Sequence, residues 1–157
     1  RMPSPKLKVI NINKVIVDYI NPMKSSFQNV LIKTDDVMEN ALIMGDEKQI
    51  RQACGNLIKN SYENINSNNI KNAQISIGFN IKNHFAYISV NDNGTGIKKS
   101  MISQITEPYF TTKVGGTGLG LAITKKIIDD HNGTILIKSL KASKGTSILL
   151  KFPLISN

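Results

Sequence analysis

Asp46 opens the most regular stretch of this chain, a long amphipathic helix that limits what the rest can become. Asp46 is a good N-cap, and Gln49 three residues later completes a capping-box pattern. Ile50, Ala53, Cys54, Leu57, Ile58 and Ser61 then keep one helical face, so the helix has a single apolar side that another layer must cover. The pattern fades in the Asn-rich stretch 64–72, where amide side chains compete with the helical backbone, and a loop is expected there.

Period-two alternation supplies the other layer. Stretches 73–81 and 85–90 read as antiparallel strands joined at Lys82-Asn83-His84, and 134–140 and 146–152 as a second pair turning at Lys144-Gly145. Two shorter strand-like runs, 29–34 and 41–44, flank Asp35-Asp36. A helix over 14–23, capped by Asn13 and limited by Pro22, precedes them. Another over 119–131 ends on a left-handed cap at Asn132-Gly133, and a short one is possible near 98–105. The order ββαββ, loop, αββ predicts an α+β fold: a two-layer α/β sandwich, its mixed, mostly antiparallel sheet covered on one face by helices. Residues 1–12, Pro-bearing, basic and aperiodic, read as a linker, and 13–157 as one domain.

The formal charge is +9, but 18 of the 20 basic residues are lysines scattered along the chain, with only Arg1 and Arg51 beside them. Base-edge readers lean on arginine, so the charge speaks for anions in general and against direct nucleic-acid contact. The lone Cys54 cannot form an internal disulfide, consistent with a reducing, cytoplasmic setting, and it sits in the helical pattern as a small buried hydrophobe. No apolar run is long enough to span a membrane, so no membrane contact is expected of these residues.

Three local signals could carry chemistry. Asn56 and Asn60 lie one turn apart beside the apolar stripe of the long helix, where an amide oxygen can face a hard cation such as Mg²⁺. Ordinary polar residues of an Asn-rich chain would look the same. Asp92-Asn93-Gly94-Thr95-Gly96 ends an apolar strand; a carboxylate there can accept from an exocyclic amino group, and the glycines let a flat ligand approach the backbone. Taken alone, it could equally be a generic turn. Within 107–123, four glycines fall in six residues, Gly115 to Gly120, and open into a helix whose N-terminus suits a phosphate. There is no Gly-Lys-Ser/Thr of a P-loop and no preceding strand of a dinucleotide fingerprint, so a merely flexible loop remains open.

Asn60 in NLIKNSYEN, Asp92-Asn-Gly-Thr-Gly, Pro108-Tyr-Phe-Thr-Thr-Lys and Gly116-Thr-Gly-Leu-Gly-Leu occur in the order and spacing of the N, G1, F and G2 boxes of sensor histidine kinases. The chain thus resembles their ATP-binding catalytic domain, of the Bergerat fold shared with gyrase, Hsp90 and MutL. EPYFTTKVGGTGLGLAI is most similar to the nitrogen-regulation, NtrY/NtrB-like branch, with Ser61 and Asn64 where that pattern has alanines.

The resemblance implies ATP and Mg²⁺ as ligands. Asn60 would bind the metal, with Asn56 nearby, and Asp92 would accept from adenine while Gly94, Gly96 and Ile97 shape the base pocket. Phe110, Thr111, Thr112 and Lys113 would belong to a mobile lid. Gly116, Thr117, Gly118, Leu119, Gly120 and Leu121 would bring backbone and helix N-terminus to the phosphates. Asn64 would alter the phosphate side, and Glu63 stands where many relatives carry Lys or Arg.

Hydrolases of the family carry a general-base Glu at the place of Asn56, and an amide cannot take up a proton, which favours phosphotransfer over hydrolysis. The phosphoacceptor histidine would sit on a separate, dimerising helical domain, of which 1–12 would be the tail, with a response regulator downstream. His84 and His131 are both expected at the surface and neither fits the acceptor pattern. The chain alone should therefore bind Mg-ATP as a monomer with little turnover. Full-length relatives would be anchored in the bacterial inner membrane. A family ATPase, or a non-catalytic nucleotide-sensing module, are the alternatives.

Overall fold

The computed structural model describes residues 3–36, 40–67, 69–96, 120–139 and 145–155. In chain order these form β1 (Lys8–Asn11), α1 (Ile12–Ile20), β2 (Leu31–Thr34), β3 (Leu42–Gly45), α2 (Glu47–Ser67), β4 (Gln74–Lys82), β5 (Phe85–Asp92), α3 (Gly120–Asp130), β6 (Thr134–Ser139) and β7 (Thr146–Pro153). One sheet has the order β2-β4-β5-β7-β6 and is antiparallel except for the β2–β4 pair; β1 and β3 form a separate antiparallel ribbon. Alternate residues of the sheet, among them Ile75, Ile77, Ala86, Ile88, Val90, Ile148, Leu150 and Phe152, are buried in one core with Ile50, Cys54, Leu57, Ile58 and Ile65 of α2. This is the two-layer α+β sandwich that the alternation predicted. Burial pushes the Cys54 thiol up to about 12, so it acts as a small apolar filler.

Three local expectations change. Residues 8–11 are strand rather than linker, because Ile10 faces the core opposite Ile43 while Val9 faces outward. The cap of α1 is Asn11, whose Oδ1 accepts from the Lys14 N–H at 3.4 Å and the Ala41 N–H at 3.3 Å; Asn13 is instead buried, and the chain passes into a 3₁₀ turn over Asn21–Ser26 that holds Pro22. Finally, α2 continues through Asn64 to Ser67, because Ile65, 1% exposed, anchors its last turns in the core and packing overrides the weak propensity of Asn.

The turns follow their chemistry. Asn83 and His84 both have positive φ (50° and 67°), the two-residue geometry that matches the strand twist. Asn132 (φ 56°) closes α3, with the Gly133 N–H bonded to the Ile128 carbonyl at 2.9 Å and the Asn132 N–H to that of Asp129 at 3.0 Å, the paired bonds of a Schellman cap. Among the described residues, no helix is long and apolar enough to cross a membrane.

Candidate nucleotide site

Asn56, Asn60 and Asn64 stand one turn apart on α2, a row about 12 Å long that runs between α3 and the end of β5. At one end the row meets the first residue of α3. The Asn56 Nδ2 donates to the Gly120 carbonyl at 3.4 Å, and the position a Gly120 side chain would take is 3.8 Å from the Asn60 Nδ2. The start of α3, with the positive end of its dipole, thus lies beside the two amides. Leu121 packs against the core behind it.

At the other end lies Asp92, 6% exposed. Its Oδ1 accepts from the Gly94 N–H at 2.9 Å, and the Thr146 backbone pairs with Asp92 across β5 and β7. Burial raises the carboxyl above its ordinary value, and the Gly94 N–H, with the nearby Ser61 side chain and Thr146 backbone, opposes that rise. A Cβ on Gly94 would stand 3.0 Å from the Asp92 Oδ1 and 3.1 Å from the Asn64 Nδ2, so the missing side chain leaves room for the carboxylate and the amide. Asn64 therefore sits at the carboxylate end of the row, because each helical turn carries the row 5.4 Å further along α2.

Gly96 has φ 82°, and the loop before it is pinned by Asn93, whose Oδ1 accepts from the Gln74 N–H at 2.7 Å while its Nδ2 donates to the Asn72 carbonyl at 2.8 Å. Glu63 lies 4.0 Å from Lys59 across one helical turn. Ile97, Phe110, Thr111, Thr112, Lys113, Gly116, Thr117, Gly118 and Leu119, with the short helix expected at 98–105, lie outside the described residues. Among the described residues no cluster of three or more His, Cys, Asp or Glu could hold a metal. Those residues offer no carboxylate cage, and an amide beside the start of a helix suits a cation that takes most of its ligands from phosphate and water.

Ser61 and Thr146 were not among the candidates. Thr146 pairs with Asp92 across β5 and β7, 54 positions away in the chain, and no local pattern signals that pairing. His131 also departs from expectation: it is 3% exposed and both ring nitrogens are bonded, whereas His84 is exposed as anticipated.

The profile of the histidine kinase-, DNA gyrase B- and HSP90-like ATPases matches residues 45–156, from the last residue of β3 to just beyond β7. The chain belongs to this family. It is the ATPase domain in the form that sensor histidine kinases carry. A putative NtrY-like sensor histidine kinase of Rickettsia conorii is 32% identical over 154 residues, 98% of this chain and 25% of that protein. Sporulation kinase A of Bacillus subtilis is 33% identical over 146 residues, 92% of this chain and 23% of that protein. The chain thus spans about a quarter of the length of these relatives. The solved catalytic domain of the histidine kinase ThkA superposes with a TM-score of 0.78 at 27% identity, covering 95% of this chain and 96% of that one.

Proposed function

We propose that this domain binds ATP with Mg²⁺ and presents the γ-phosphate to a histidine on a separate, dimerising helical domain of the same protein, from which it passes to a response regulator. The observation that carries this is the division of one helix face into two ends. A buried carboxylate bonded to the Gly94 N–H lies at one end, and two amides beside the start of α3 lie at the other.

Asp92 accepts from the adenine amino group, with Gly94, Gly96 and Ile97 around the base. The backbone from Gly116 to Gly120 and the N–H groups of α3 meet the phosphates. Asn60 holds the metal ion, which when bound neutralises phosphate charge. Asn56, tied to Gly120, fixes α3 against α2 and supplies no base. A base is not needed when the nucleophile is an imidazole nitrogen with a free lone pair, because catalysis then rests on positioning and charge. The segment 107–115, with Phe110, Thr111, Thr112 and Lys113, covers the bound nucleotide.

The test adds a phosphoacceptor helical domain in trans with γ-labelled ATP. Label on its histidine, lost in Asn60→Ala, is expected. Nucleotide binding with steady phosphate release and no histidine label would instead indicate a hydrolase. Failure to bind Mg-ATP would sink both readings.

A further inference from the structure

We propose that the open face of the five-stranded sheet is a docking surface for an anionic lipid bilayer, held to the headgroups by lysine side chains. The residues that alternate with the buried ones along β2, β4, β5, β6 and β7 point away from α2, so this face lies across the sheet from the Asn row. Lys33, Lys82, Lys138 and Lys151 stand on it, and no outward position of these strands holds a carboxylate. Asp35, the residue after β2, lines the hollow that Gly78 leaves beside Lys82 and Tyr87. Among the described residues none of the four lysines forms an ion pair, whereas Lys14, Lys125 and Lys126 of the helices lie 2.6 to 3.0 Å from a carboxylate one turn on. Those helical lysines are neutralised within the fold, and the sheet face is left positive.

Three features of the face favour a bilayer. It is broad, since five strands at a spacing of about 4.8 Å span roughly 19 Å. Its positive charge is lysine alone, without the arginine that enriches protein interfaces and forks onto carboxylates, and an ammonium on a flexible stem suits a layer of phosphate headgroups. Leu31 (55% exposed) and Leu136 (49% exposed) stand among the lysines, where they can reach below those headgroups. A single-stranded nucleic acid fits less well. The Lys151 Nζ lies 4.0 Å from the centre of the Phe85 ring and 5.9 Å from that of Tyr87, over the rings on which bases would stack. Contact at the headgroups needs no spanning helix, and the lack of a long apolar run bears on spanning alone.

The test is co-sedimentation of the 157-residue chain with vesicles of phosphatidylcholine alone and of phosphatidylcholine mixed with phosphatidylglycerol. Binding to the anionic vesicles only, falling as salt rises, is expected. Lys82→Gln combined with Lys138→Gln should weaken it at least about tenfold, and Asp35→Asn should strengthen it about twofold or more. Lys125→Gln combined with Lys126→Gln removes the same charge from α3 and should leave binding within about twofold. No binding to the anionic vesicles overturns the proposal. So does equal weakening by the two lysine pairs, which marks net charge alone. Binding of an oligonucleotide or of polyglutamate that depends on Lys82 and Lys138, without vesicle binding, overturns it in favour of nucleic acid or an acidic protein.

Discussion

His131 caps α2 from the far end of α3. Its Nε2 lies 3.0 Å from the Asp46 backbone nitrogen, whose N–H can only donate, so Nε2 is the acceptor and Nδ1 is the protonated atom, donating to the Ile127 carbonyl at 2.7 Å. The capping box foreseen at Asp46 and Gln49 is thereby only half made. Asp46 Oδ1 accepts from the Gln49 N–H at 3.2 Å, but the Gln49 side chain donates to the Pro3 carbonyl, and the imidazole takes the place that a glutamine oxygen would have filled.

Replacing that imidazole should orphan the Asp46 N–H and open a cavity beside Phe152, whose ring lies 6.5 Å from it. His131→Ala should cost about 2–4 kcal/mol in chemical denaturation. With both nitrogens bonded inside the fold, His131 should carry no label after incubation with γ-labelled ATP.

Asp46 and Asp92 should tilt acid stability in opposite directions. The Lys6 N–H bond, first, and those from Gln49 and Lys48 hold the Asp46 carboxyl below 3.8, so its stabilisation is complete above that pH and is lost as pH falls below it. Burial holds Asp92 above 3.8, so its contribution is present at low pH and is lost as pH rises from 3.8 through the raised value. Denaturation midpoints against pH should show a shallower acid limb in Asp46→Asn and no such decline above 3.8 in Asp92→Asn.

Binding and stability should separate at Asp92. In Asp92→Asn the isosteric amide removes the cost of a buried charge, so the melting temperature near neutral pH should not fall. The amide cannot serve the base as the carboxylate does, and ADP affinity should drop at least about tenfold by calorimetry.

Gly145 holds the start of β7 against the carboxylate loop. A Cβ there would lie 1.7 Å from the Asp92 carbonyl oxygen, and its φ of 105° is one that other residues rarely adopt. Gly145→Ala should cost at least about 2 kcal/mol in denaturation and weaken nucleotide binding, because Asp92 and Thr146 must part.

Asn60→Ala should leave adenine recognition intact and remove most of the increase in ATP affinity that added Mg²⁺ produces. Asp92→Ala should lose binding with or without the metal. Fluorescence titration of a labelled nucleotide across Mg²⁺ concentrations separates the two.

Periodicity alone determined the long helix, the paired strands and therefore the two layers, because alternating and helical patterns record which side of an element is buried. Asn56, Asn60 and the Asp-Asn-Gly-Thr-Gly loop were legible for the same reason: their spacing places them at the edge of a buried face or the end of a strand. What surrounds those residues was decided by tertiary structure. Ser61 read as part of the apolar stripe until β5 arrived opposite it, and Thr146 lies 54 positions from the residue it pairs with. His131 read as a surface residue at a helix end until α2 supplied the N–H that its ring accepts. Asn64 belonged by composition to a loop, and Ile65 drew it into α2 and beside Gly94. In each case the burial of a face is written locally in the chain. The partner of a buried polar atom depends on which distant element packs against it.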